Sequence, residues 1–197
     1  MKTLLTKSAV FCVAIAAFTF SSCIKDQAPE IAKNEIAMSE CVKEIQMGAG
    51  ESSVSASSPY AVRLASVTKT DAGWEWVWTV QNFHPGNGSN GTVQDLSHWD
   101  IDLGTCVTTS DIVSSSVSTN GNTWTANEVA FKQDKSQDCY NNSIFKFNLG
   151  TAGSAVSYYK IVLNKAVAKS SVLAVYKSGK NTGCGIFETC GFGCPSL

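Results

Sequence analysis

From residue 60 onward, apolar side chains recur with a period of two. In "YAVRLASVT", Tyr60, Val62 and Leu64 alternate with other residues. In "WEWVWTV", Trp74, Trp76, Trp78 and Val80 fall on one side, and Glu75, Val77 and Thr79 on the other. Successive strand side chains point to opposite faces, so each stretch reads as a strand with one apolar face. "LSHWDIDL", residues 96 to 103, sets Ser97, Trp99, Ile101 and Leu103 against Leu96, His98, Asp100 and Asp102. Further strands are predicted over 111–118, 123–131, 143–149, 156–164 and 171–177, with a hairpin signal at "NGN", residues 120 to 122. About eight short strands with turn signals between them predict an all-β fold, an antiparallel β-sandwich cored by the inward residues of two sheets.

The flanking regions read differently. Residues 36 to 47 place Ile36, Met38, Val42 and Ile45 at roughly helical spacing, so a short helix competes there with an irregular strand. "HPGNGSNGT", residues 84 to 92, carries three glycines, a proline and two Asn-Gly steps, and predicts a long exposed connection. The tail "GCGIFETCGFGCPSL" is too poor in apolar residues to pack by itself, and disulfides are expected to hold it.

At the other end, Lys2 and Lys7 precede the uncharged run "AVFCVAIAAFTF", residues 9 to 20. About twelve apolar residues fall short of the ~20 that a membrane-spanning helix needs. A basic start, a short apolar run and the small residues Ser21 and Ser22 mark a secretory signal peptide. With Cys23 next, the segment resembles the lipobox of bacterial lipoproteins, although Phe20 stands where that family usually has leucine. Lys25 and Asp26 are similar to the charged export tag of surface lipoproteins in Bacteroidota. The resemblance implies that Cys23 is acylated and becomes the first residue of the mature chain, with the protein lipid-anchored at the outer membrane and exposed at the surface. Stable anchoring takes more than one acyl chain, and the lipoproteins it resembles carry three. The competing reading is an ordinary signal peptide cleaved nearby. The expected organisation is a signal peptide over 1–22, a polar tether over 23–35 and one sandwich domain over 36–197.

Composition adds two constraints. Removing residues 1 to 22 takes away Lys2 and Lys7 and no acid, moving the formal net charge from −1 to −3. That lacks the basic field of a nucleic-acid partner. Setting aside Cys12 and Cys23, six cysteines remain: Cys41, Cys106, Cys139, Cys184, Cys190 and Cys194. In an oxidising compartment an even number implies disulfides, here three. Cys106 and Cys139, both just outside predicted strands, are the expected central pair, leaving Cys41 for one of the last three. A zinc site from Cys184, Cys190 and Cys194 is the alternative, without a C-x2-C pair or a nearby histidine to support it.

Candidate chemistry is sparse. His98, Asp100 and Asp102 project from one strand face at a spacing of ~7 Å, and neighbouring elements that added ligands would make a divalent-cation site. The plain alternative is a solvated outer face opposite Trp99. Ser97 and His98 point to opposite faces and cannot be a nucleophile and its base; His84 with Asp95 and a distant serine is the remaining arrangement. No G-x-S-x-G, H-E-x-x-H or phosphate loop occurs. Trp74, Trp76 and Trp78 are expected to bury two rings and leave one partly exposed; Trp74 and Trp78, with His84, Asn87 and Asn90 of the glycine-rich loop, are the candidate ligand contacts. The expected function is a non-catalytic binding or adhesion module for a glycan or surface protein. The alternatives are a polysaccharide-acting enzyme or accessory protein, and a structural subunit of an envelope assembly. A carboxylate-lined cleft would favour the enzyme, and an aromatic-bearing patch the binding module.

Overall fold

The structure, a computed structural model, describes residues 58 to 194. The signal segment, Cys23, the tether, the 36–47 segment and Cys41 lie outside these residues. Ten strands follow in chain order: β1 (Ala61–Thr70), β2 (Gly73–Gln81), β3 (Leu96–Ile101), β4 (Ile112–Ser118), β5 (Thr125–Ala126), β6 (Phe131–Gln133), β7 (Ser143–Phe147), β8 (Val156–Leu163), β9 (Ala168–Ser178) and β10 (Cys184–Gly193). They form two five-stranded sheets, ordered β1-β2-β8-β4-β5 and β10-β9-β3-β7-β6, with antiparallel pairing throughout. This is the disulfide-braced sandwich that the period-two pattern predicts.

The core is aromatic. Trp76 and Trp78 from β2, Trp99 from β3, Phe145 and Phe147 from β7 and Tyr159 from β8 are all fully buried. Their rings meet largely edge to face, as Trp99 and Tyr159 do at 5.4 Å and 88°, the arrangement the ring quadrupole prefers. Two of the three tryptophans are buried and one stays partly exposed, as expected, and that one is Trp74. Its ring lies under the Lys69 ammonium.

The strand count exceeds the predicted eight for two reasons. Residues 123–131 are not one strand: β5 belongs to the first sheet and β6 to the second. Between them the chain crosses the sandwich, and buried Asn127 fastens the crossing. Its amide donates to Ser115 Oγ (3.3 Å) and to the Lys146 carbonyl (3.0 Å), and its Oδ1 accepts the Asn148 N–H (2.9 Å). The tail is the larger correction. Instead of a stapled appendage it forms β10, paired with β9 from Cys184↔Lys177 to Gly193↔Ala168. Phe187 and Phe192 enter the core, and the Trp78 indole donates to the Cys190 carbonyl across the sandwich at 2.7 Å. Its low apolar content has a packing reason. A Cβ on Gly185 would lie 2.7 Å from the Tyr176 ring, and one on Gly191 would lie 2.3 Å from Val172 Cγ2, so bulky β9 side chains fill those places.

The cysteine pairing also differs from expectation. Cys106 pairs with Cys194 and Cys139 with Cys184, with Cα separations of 5.1 and 5.8 Å. Cys106 does not reach Cys139, because Cys106 follows β3 near the end of β10 and Cys139 belongs to the β6–β7 connection near its start. Cys190 is also disulfide-bonded. A zinc site from Cys184, Cys190 and Cys194 is excluded, since all three are oxidised and Cys184 and Cys194 stand at opposite ends of a ten-residue strand.

Candidate functional site

β3 is the middle strand of the second sheet. Trp99 and Ile101 point into the core, so alternation sends His98 and Asp100 to the outer face. There Asp100 stands opposite Lys146 of β7 and Val175 of β9, and His98 opposite Lys177. An outer face was expected to be solvated, and this one is not. Asp100 is 0 % exposed and His98 8 %. The connection between β6 and β7 covers them, held at one end by the Cys139–Cys184 disulfide. From this connection Gln137, 2 % exposed, and Asp134 face the two β3 side chains.

The covering loop is shaped by Asp134 itself. Its Oδ1 accepts the Ser136 N–H (2.8 Å) and hydroxyl (2.7 Å), a local turn that Asp favours. Its Oδ2 pairs with the Lys146 ammonium and lies 2.8 Å from His98 Nε2. That contact is poorly aligned for a hydrogen bond, and among the described residues neither oxygen of Asp100 nor either amide atom of Gln137 has a well-aligned partner, although Gln137 lies close enough to Asp100 to act on its charge. Ligand atoms of His98, Asp100 and Asp134 all fall within 4.8 Å of one another.

The environment fixes their charges. Burial pushes the Asp100 carboxyl up to about 7, with the Asp134 charge adding to it and Gln137 and Lys146 opposing. Burial and the Lys146 ammonium hold His98 down to about 4, against the Asp134 carboxylate, whose charge and contact with the ring favour the protonated form. Burial also acts to raise Asp134, but the Lys146 ammonium and the Ser136 hydroxyl and amide hold it well below the usual carboxylate range. At neutral pH the cluster therefore offers a neutral imidazole, one firm carboxylate and one carboxyl near its midpoint.

Of the predicted cation ligands, the structure brings together His98 and Asp100 but not Asp102. β3 ends at Ile101, and the Asp102 carboxylate instead accepts the Gly104 N–H at 2.8 Å, closing the turn beyond. Asp134 takes its place. The usable signal was Cys139: once it pairs with Cys184, the loop that carries it must cross the face bearing His98.

The other candidates scatter. Trp78 is fully buried and cannot touch a ligand. In the glycine-rich loop, His84 and Asn90 are exposed, while Asn87 is occupied structurally, its Oδ1 accepting the Ser89 N–H and its carbonyl accepting the Asn181 amide.

A second feature went unread in the sequence. Between the β4–β5 hairpin and the end of β7 lies an open hollow of about 470 Å3, lined among others by Thr119, Asn120, Thr123, Thr125, Glu128 and Asn148. Its hairpin wall is rigid. Asn120 Oδ1 accepts the N–H groups of Asn122 and Thr123, and Gly121, at φ 75°, sits where a Cβ would be 3.2 Å from the Tyr158 ring. On the sheet face behind, Trp124 lies under the Lys160 ammonium, which is 3.1 Å from Glu75. Comparison with protein-family models, curated proteins and solved structures finds no match to this chain.

Proposed function

We propose that this chain is an exported lipoprotein, anchored through an acylated Cys23 at the outer membrane or cell surface, whose sandwich is a non-catalytic module that binds a glycan. The observation that carries the reading is the hollow beside the β4–β5 hairpin, walled by threonine hydroxyls and asparagine amides on a hairpin already locked in shape. Hydroxyls and amides match a sugar's alternating donors and acceptors, and a pre-formed wall spares the entropy of ordering it on binding. The arrangement favours binding over hydrolysis. A glycosidase sets two carboxyl groups across an open cleft, whereas among the described residues Glu128 is the lone carboxylate lining this hollow, and Asp100 is buried under the loop that carries Asp134.

The full chain carrying Cys23→Ala serves both tests. It should leave the membrane fraction on expression in a lipoprotein-processing bacterium, and unchanged fractionation would reject the anchor. On a glycan array it should retain a defined glycan, and Thr125→Ala with Asn148→Ala, both on exposed residues, should abolish retention without moving Tm. A glycan signal indifferent to this pair, or none at all, would reject the assigned surface.

A further inference from the structure

We propose that His98, Asp100, Asp134 and Gln137 form a divalent-cation site, suited to Mn2+ or Zn2+, that fastens the β6–β7 loop to the face of the second sheet. Acidic and imidazole groups often cluster without a metal, so the weight falls on what they leave unmade. Asp100 and Gln137 are buried, and among the described residues none of their four polar side-chain atoms has a partner in good hydrogen-bond geometry, although Gln137 sits close enough to Asp100 to favour its ionised form. Burying such atoms without partners costs about 1–3 kcal/mol each, and more for a charged group. Native proteins rarely carry that cost without a ligand or water to relieve it.

The spacing fits. Around an ion with ligands at ~2.1 Å, adjacent ligand atoms stand ~3.0 Å apart in an octahedron and ~3.4 Å in a tetrahedron, and opposite ones ~4.2 Å. His98 Nε2 and Asp134 Oδ2 lie 2.8 Å apart, close to the separation that two adjacent ligand atoms take around a shared ion. All three ligand atoms fall within 4.8 Å of one another, so the set need close by no more than about half an ångström to reach the ~4.2 Å of opposite ligands. One imidazole with three oxygens suits Mn2+ or Zn2+ better than Ca2+ or Mg2+, which prefer all-oxygen shells.

The charge balance agrees. With both carboxylates ionised, Lys146 compensates one of them, and one negative charge stays buried. A divalent ion compensates it. The Lys146 ammonium now holds Asp134 Oδ2, and because its side chain is 21 % exposed, it reaches solvent when an ion takes that oxygen. Lys146 is thus a built-in competitor, and removing it should strengthen binding.

The test uses the full chain with Cys23→Ala, stripped with a chelator, then titrated with Mn2+, Zn2+, Ca2+ and Mg2+ by calorimetry and by thermal unfolding. One equivalent of Mn2+ or Zn2+ should bind and raise Tm, with Ca2+ and Mg2+ much weaker. Asp100→Asn and His98→Gln should each remove the binding, and Lys146→Met, which keeps all four ligands and removes a cation a few ångströms from the ion, should tighten it about 10-fold or more. Absence of binding by the parent chain, or binding that survives both ligand substitutions, overturns the proposal. Should either ligand variant fail to fold by circular dichroism, Lys146→Met decides: tighter binding supports the site, and unchanged or weaker binding overturns it.

Discussion

Single residues at the lower end of the sandwich show how burial sets chemistry. The Tyr60 hydroxyl shares its proton between the Gln94 carbonyl (2.7 Å) and the Ser178 hydroxyl (2.6 Å), and Ser178 donates to the Asp95 carbonyl (2.8 Å). Tyr60→Phe should therefore destabilise the fold by about 1 kcal/mol, read from urea midpoints. Burial pushes the phenols of Tyr60 and Tyr159 up to about 12, with Ser178 opposing at Tyr60 and Thr151 and Ser157 at Tyr159. Because the folded values lie above the unfolded value of 10.0, the folded state holds these protons longer than the unfolded chain does. Their contribution is complete below pH 10, drains away as pH rises and is gone above 12. Urea midpoints of the parent chain should fall across that window, and Tyr159→Phe should flatten the fall; an equally steep fall in the variant would refute the assignment. At this scale the sequence was readable where one strand decides the outcome: two of the β2 tryptophans are expected inside and one at the margin, though Trp78, a candidate ligand contact from the sequence, proves to be one of the buried two. It was unreadable at His98 and Asp100, whose burial is decided by a loop more than thirty positions away.

Elements show the same division. Strands with an alternating face, such as β2, β3 and β8, were legible because the pleat writes its period directly into the sequence. β10 was not, because its partner strand supplies the bulk. Alternation counts apolar residues, and at Gly185 and Gly191 the apolar groups belong to Tyr176 and Val172. The pairing predicts a specific coupling. Gly191→Ala alone should cost about 1–3 kcal/mol through overpacking against Val172. Combined with Val172→Ala, it should cost less than the sum of the two single changes, since the smaller β9 side chain makes room for the new methyl. Strict additivity in urea unfolding would mean that Gly191 is not seated on Val172.

At the scale of the whole molecule, the Cys106–Cys194 and Cys139–Cys184 disulfides hold opposite ends of one edge strand and do different work. Cys106–Cys194 closes 88 residues and ties the end of β10 to the connection after β3. Cys139–Cys184 closes 45 residues and brings a loop across the face of the sheet. Loop-closure entropy alone assigns the two nearly equal stabilisation, about 4 kcal/mol each, so thermodynamics barely distinguishes them. Accessibility does. Of these two, the second bond holds the cover over His98 and Asp100, so replacing Cys139 and Cys184 with serine should speed amide exchange over residues 134–142 and open His98 to diethylpyrocarbonate, read residue by residue by mass spectrometry. Replacing Cys106 and Cys194 should loosen the end of β10 and leave His98 protected. Equal protection of His98 in both variants would show that the loop's own turn at Asp134, with its Lys146 contact, suffices to keep the cluster covered.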